Sequence, residues 1–413
     1  MFVPSQQPGC LPAGLRCVLV WLLLSAHGHL TCQVRTWGDE AVRTNSRAIR
    51  IATFNTSLYR KQAGTLRCDL RGGANEQAGR LAAILQTARP DIVLLNEFDY
   101  EPEHAALKIF LREYLACPQV AELRGLEYPY FFAGPVNTGV DTGLDLDGDG
   151  KQQGPNDAFG YGTYEGQYAM ALLSRFPIRN SQVRTFQRFL WSDLPDAMVP
   201  VNPATNQPYY SDEAWGLLRL SSKSHWDVPI QIGADVVHVL ASHPTPPAFD
   251  GPEQRNQCRN HDEIRFWIDY LTPDAADHLI DDAGVAGGLN AEAKFVLVGD
   301  LNNDPFDGSG RKQAINGLLQ HERVQDPGPR SAGGVAATEA LGRKNRQHKG
   351  DPAQDTANFN PFAVGNLRVD YCLPSRNLRV VASEVFWPVS PAPAAKWVEA
   401  TDHRLVWTDV LLE

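Results

Sequence analysis

The sequence predicts an α/β protein, from strand-like apolar runs, amphipathic helical stretches interleaved with them, and polar residues that close several of the strands. Ile49 to Asn55 alternates like a strand and ends on a polar tip. Gln77 to Thr87 then sets Leu81, Ile84 and Leu85 on one helical face, and Arg89-Pro90 stops the helix because the residue before a proline is pushed out of the helical region. Asp91 to Glu97 reads as a buried strand that delivers a carboxylate. Further strand-like runs cover Tyr168 to Leu173, Val236 to Ser242, Lys294 to Val298, Leu367 to Cys372 and His403 to Leu412. Helical patterns lie at Asp262 to Leu271 and Arg311 to Leu319. Side chains that close adjacent strands can converge on one crevice.

The composition suits such a fold. A chain of 413 residues with 43% hydrophobic content buries a large core in one or two domains. Its 21% charged and 9% aromatic residues exclude disorder and collagen-like repeats. The formal net charge of -10 argues against an avid, sequence-independent polyanion binder, though not against a nuclease with a locally basic cleft.

Near the N-terminus, Arg16, the apolar run Cys17 to Leu24 and the following Ala26-His27-Gly28 have the layout of a signal peptide over residues 1–28. The run is shorter than the roughly 20 residues that span a bilayer. Export to a secreted or periplasmic location, without a stable membrane anchor, is therefore expected. Cleavage would leave Cys32, Cys68, Cys117, Cys258 and Cys372, an odd set in which an oxidising compartment permits one or two disulfides. The remaining domain is placed at residues 47–413, as a monomer, with a Gly- and Asp-rich insertion at 134–166 that is expected to pack near the cleft.

Taken in order, Thr53-Phe54-Asn55, Leu95-Asn96-Glu97, Ala171 to Ile178, Ser242-His243, Gly299-Asp300-Leu301-Asn302, Arg368-Val369-Asp370-Tyr371 and Thr401-Asp402-His403 resemble the motifs of the endonuclease/exonuclease/phosphatase superfamily. The resemblance runs from about Ile49 to the C-terminus. It implies a four-layer α/β sandwich, two mixed sheets face to face and flanked by helices, with the site at one edge between them. It also implies hydrolysis of a phosphate ester by activated-water attack with Mg²⁺ or Mn²⁺. The substrate is a nucleic acid or a small phosphoester; a phospholipid or phosphoinositide esterase and a non-catalytic binding module that keeps the fold are the alternatives.

Phosphate esters resist attack because their oxygens repel a nucleophile, so the site must neutralise charge and manage protons. Carboxylate oxygens favour a hard cation. By resemblance, Glu97 is the principal metal ligand, with Asp402 and Asn55 completing the surroundings directly or through water. Asp300 and Asn302 orient the attacking water or leaving group and hold a phosphate oxygen; alone, Gly299 to Asn302 reads equally as turn chemistry. His403, oriented by Asp370, is general base or charge stabiliser, and His243 is proton donor or phosphate ligand on the other side.

Two constellations go beyond this set. Arg219, Lys223 and His225 cluster as substrate-binding candidates, with a solvated basic edge strand as the alternative. Asp145, Asp147 and Asp149, followed by Gly150, match the opening of a calcium-binding loop, but the twelfth position is Asn156 rather than Glu. A structural Ca²⁺ site and a polar surface turn both fit.

Overall fold

The computed structural model describes residues 48–412. The expected signal peptide lies outside the described residues, among which no helix is long and apolar enough to cross a membrane.

In chain order the elements that build the site are β1 (Ile49–Leu58), α1 (Glu76–Ala88), β2 (Ile92–Phe98), β3 (Tyr130–Phe132), β4 (Met170–Ser174), β5 (Arg184–Thr185), β6 (His225–Ile232), β7 (Asp235–Ser242), α2 (Arg255–Leu271), β8 (Lys294–Asp300), α3 (Lys312–Gln320), β9 (Asp370–Pro374), β10 (Arg379–Val385) and β11 (Val406–Leu411). They form two mixed sheets, ordered β10-β11-β1-β2-β4-β3 and β9-β8-β7-β6-β5. β1 runs parallel to β2, and β8 parallel to β7, while the remaining pairs in both sheets are antiparallel.

Strand alternation explains the layering, because successive side chains point to opposite faces. Val228, Val239, Val296 and Val298 join one core with Ile51 and Leu94 of the facing sheet. Their neighbours Leu240, Phe295 and Leu297 point the other way, onto Ile264, Trp267 and Leu271 of α2. Leu81 and Leu85 of α1 close the outer face of the first sheet. The result is the four-layer α/β sandwich. β2 is apolar on both faces, hence its unbroken Ile92 to Leu95 run.

The structure moves several expected boundaries. The strand expected over Leu367 to Cys372 is interrupted: Asn366–Leu367 pairs with Ala357–Asn358, and the ladder to β8 begins only at Asp370. Side chains take the backbone donors in the gap, with Arg368 N–H on Asp304 and the Val369 and Asp370 N–H groups on Thr356 Oγ1. His403 precedes β11 rather than opening it. Helix α2 begins at Arg255, well before the expected Asp262, because Asp250 accepts the N–H groups of Asn256 and Gln257 in its first turn. Its early turns carry polar residues, so the apolar period hid them. The segment with the edge-strand alternative enters β6, an internal strand between β7 and β5.

Candidate active site

Five strand-end residues and one loop residue meet at one edge of the sandwich. Asn55 comes from β1, Glu97 from β2, His243 from just past β7, Asp300 from the end of β8 and Asp370 from the start of β9, where it is the direct partner of Asp300. His403 arrives on the loop ahead of β11. A register shift after Asn55 and a positive φ of 56° at Glu97 re-aim both chains at the edge. A left-handed backbone costs a residue with a side chain on the order of 1 kcal/mol or more, a strain that clusters at functional sites.

Asn55 ties the two sheets together. Its Nδ2 donates to Glu97 Oε1 at 3.1 Å and to Asp300 Oδ2 at 3.0 Å, while its Oδ1 accepts the Ser57 N–H. All of its polar atoms are thus engaged, so it braces the two carboxylates. Asp300 Oδ2 also lies 3.4 Å from His243 Nε2 and 3.7 Å from His403 Nε2. His403 Nδ1 meets Asp370 Oδ2 at 2.9 Å, the expected pairing, made between the loop ahead of β11 and the start of β9. The Phe359 ring packs edge-on against His403 at 5.4 Å.

Burial sets the electrostatics. Burial alone would lower the affinity of His403 for its proton, but Asp370 and Asp300 outweigh it and raise the pKa to about 10. Burial likewise works against ionised Asp300, yet His403, His243 and Asn55 hold its carboxyl well below the usual range. His243 is pushed down to about 4 by burial and then by the Lys223 charge, so it is a neutral imidazole. Burial raises Glu97 to about 6 against the pull of His403 and Asn55. A strained-up carboxylate of this kind is what a hard cation would relieve. Asp402 is next in line, its side chain 53% exposed and its Oδ1 3.5 Å from Ser57 Oγ.

Asp300, Asp370 and His403 bring ligand-type atoms within 4.8 Å of one another. Asp370 Oδ2 and His403 Nδ1 are spent on each other, while Asp370 Oδ1 is buried without a partner; Asp402 is the exposed carboxylate beside the half-buried Glu97. The residues present fit a divalent cation on the Glu97 side.

A sequence model described as the Endonuclease/Exonuclease/phosphatase family matches residues 52–403. The chain belongs to that family. Members of the family are generally phosphoester hydrolases that use divalent metals. No curated protein matches the sequence. Among solved structures, the chain is similar to an endonuclease/exonuclease/phosphatase from Beutenbergia cavernae, at 18% identity and TM-score 0.47, covering 89% of this chain and 72% of that one. It is also similar to the human Nocturnin catalytic domain with bound sulfate, at 12% identity and TM-score 0.43, covering 88% and 93%. A sphingomyelinase C from Streptomyces griseocarneus matches at 16% identity and TM-score 0.41, covering 88% and 99%.

Around these residues the other sequence candidates separate. Lys223 is 6% exposed, and its charge reaches Glu97, Asp300 and Glu263, while burial lowers its pKa. Arg219 does not join it: the guanidinium donates to Asn137 and lies 4.1 Å over the Phe159 ring. Nor does His225, which is 1% exposed, bonded between Ser221 and the Glu263 carbonyl, and packed on Phe266 in the second core. It follows Lys223 by two residues, but the apolar helix side of the sheet claims it. Asn302 sits at φ 54° and donates to the Pro244 carbonyl at 3.0 Å, which staples its loop to that of His243. Asp145, Asp147 and Asp149 lie together on a loop of the insertion, bracketed by no helices.

Sequence reasoning missed the polar face of α2. Glu263 accepts the Ser222 N–H and the Thr245 N–H, each at 2.6 Å, and so clamps the loops that carry Lys223 and His243. Asn260 donates to the Thr245 and Leu301 carbonyls and accepts from Asn303. The available signal was Asn260 and Glu263 at helical spacing on the face that also carries Ile264 and Trp267. The insertion, in turn, is fastened beside Glu97. Tyr164 Oη donates to Asp99, and Gln167 Nε2 donates to the Arg60 carbonyl.

Proposed function

We propose that this edge hydrolyses phosphate esters in a divalent-metal-dependent reaction, with water as the nucleophile. The observation that carries the reading is the meeting of Asn55, Glu97, Asp300 and the His403–Asp370 pair within hydrogen-bonding reach, from strands remote in sequence. Glu97 and Asp402 would hold Mg²⁺ or Mn²⁺, with Asn55 bracing Glu97. When bound, the cation supplies charge neutralisation and polarises the phosphate.

The chain's own residues do the rest. Ionised Asp300, fixed by Asn55, is the acceptor that orients the attacking water. His403, held protonated by Asp370 and Asp300, stabilises the charge that builds on the phosphate oxygens. Neutral His243 approaches from the other side as a phosphate ligand, and the Lys223 ammonium adds positive field from behind. Lys223 is thus retained as a substrate-side residue, while Arg219 and His225 support the wall.

Export is part of this proposal. The disulfide-bonded state of Cys68 supports an oxidising compartment. N-terminal sequencing of the secreted protein tests it; an intact Met1 on a cytoplasmic pool contradicts it. The enzymatic test is a hydrolysis panel with and without Mg²⁺ or Mn²⁺: plasmid DNA, RNA, bis-p-nitrophenyl phosphate, p-nitrophenyl phosphate, a phosphoinositide and sphingomyelin. Metal-dependent cleavage of at least one is expected, and silence across the panel favours a binding module.

A further inference from the structure

We propose that Tyr59, Tyr161 and Tyr168 form a ring-binding subsite beside Glu97, and that it takes the planar base of a nucleoside phosphate. This inference rests on the phosphoesterase reading of the same site and names its substrate class.

The ladder places two of the rings. Leu58 of β1 pairs with Phe98, and Asn96 pairs with Met170 of β4, so Tyr59 and Tyr168 flank Glu97 from the strands on either side of β2. Their ring centroids are 4.5 Å apart, and Tyr161 lies 6.5 Å from Tyr168. Both Tyr59 and Tyr168 lie close enough to Glu97 to feel its charge, and Tyr59 feels Asp402 as well. The rings therefore stand against the position where the reacting phosphate must sit.

The hydroxyls separate these three from the structural tyrosines. A tyrosine used to fill a core ties its hydroxyl to a partner. Tyr114, Tyr128, Tyr164, Tyr270 and Tyr371 each donate to a carbonyl or carboxylate. Among the described residues, Tyr59, Tyr161 and Tyr168 donate to none, a property they share with Tyr100, Tyr130, Tyr209 and Tyr210, but they alone of these seven combine it with packing against one another beside Glu97, and Tyr161 is 58% exposed. The wall is nevertheless held firmly. Gln167 and Tyr164 both bond to the Arg60 carbonyl, and the Gly166 N–H bonds to Thr138. Free hydroxyls on fixed, partly open rings offer a stacking face with donors at its edge. That chemistry suits a nucleobase, with the attached phosphate reaching Glu97 and Asp300. An acyl chain would leave the three hydroxyls without partners.

The test is calorimetric binding of adenosine 5′-monophosphate and ribose 5-phosphate to the full chain with Mg²⁺, carrying His403→Ala to stop turnover. The nucleotide should bind at least about tenfold more tightly, as stacking of one base provides. Adding Tyr161→Ala should erase most of that difference, with Tyr161→Phe retaining it and ribose 5-phosphate unchanged throughout. Equal affinity for the two ligands, or equal weakening of both by Tyr161→Ala, overturns the subsite. The wild-type hydrolysis panel reads the other claim separately. A nucleotide preference without any hydrolysis keeps the subsite and removes the phosphoesterase reading, whereas hydrolysis without the preference does the reverse.

Discussion

Asp300, Asp370 and His403 on one side, and Asp145, Asp147 and Asp149 on the other, each bring three ligand-type groups within 4.8 Å, yet they are built in opposite ways. The first trio is buried and gathered from β8, β9 and the loop before β11. Asp300 Oδ2 meets Asn55 and His243 and Asp370 Oδ2 meets His403, while Asp370 Oδ1 stays buried without a partner. The second trio alternates along one surface loop, and its carboxylates accept N–H groups of that same loop, from Gly148, Asp149, Gly150 and Lys151. The difference teaches that proximity of acids is weak information by itself. Where solvent is excluded, every charge must be answered and each substitution is felt. Where solvent screens the charges, the acids need only the loop's own N–H groups, and the fold holds the loop through Leu146, packed on Ala214 and Leu218.

The sharpest way to break that contrast is to remove a member of each trio. His403→Ala should lower the rate by about 10²–10³-fold, as loss of a charge-stabilising donor does, whereas Asp147→Ala should leave initial rates close to wild type. Asp370→Asn should be impaired in the same step as His403→Ala, with the double variant little worse than the single, because groups acting as a unit are non-additive. Multiplicative losses would show that the pair is not a unit.

A smaller effect is expected one layer out. Glu263→Gln sets an amide donor against one of the two N–H groups it clamps, so stability should fall by about 1–3 kcal/mol, read as a shifted denaturant midpoint. An unchanged midpoint would mean that the Ser222 and Thr245 loops hold without it.

The pH dependence sharpens the comparison further. In metal-free protein the His403 pKa is raised from 6.5 to about 10 by Asp370 and Asp300 against burial. Its contribution to stability is therefore fully present below about pH 6.5 and is lost as pH rises through about 10. Melting wild type against His403→Asn across that window should show their difference shrinking. A constant difference would remove the charge pairing.

The smallest effect belongs to the surface loop. Ca²⁺ should raise the melting temperature by an amount set by its occupancy. If Asp147→Ala leaves the shift unchanged, the loop is only a polar turn.

Sequence patterns made much of the scaffold legible, because β1, α1, β2, β7 and β8 are built from local periodicity that one window of residues displays. Asp370 and its strand were harder to place, since side chains from Thr356 and Asp304 interrupt the ladder and leave no trace in the hydropathy of Leu367 to Cys372. His225 misled for a related reason. Beside Lys223 it reads as part of a basic cluster, and only the face of β6 on which it stands sends it into the core. The clamp made by Glu263 and the two flanking tyrosines depends on which loops the fold brings together, and no single stretch of sequence encodes that.

The central claim is that the Glu97 edge hydrolyses phosphate esters with a divalent cation. Its most direct test is the initial rate on bis-p-nitrophenyl phosphate for chelator-stripped wild type and Glu97→Gln, each before and after Mg²⁺ or Mn²⁺ is added. The account predicts no turnover from stripped protein, recovery by the cation in wild type, and little or none in Glu97→Gln. Full turnover in metal-free buffer, or equal recovery in Glu97→Gln, would contradict it.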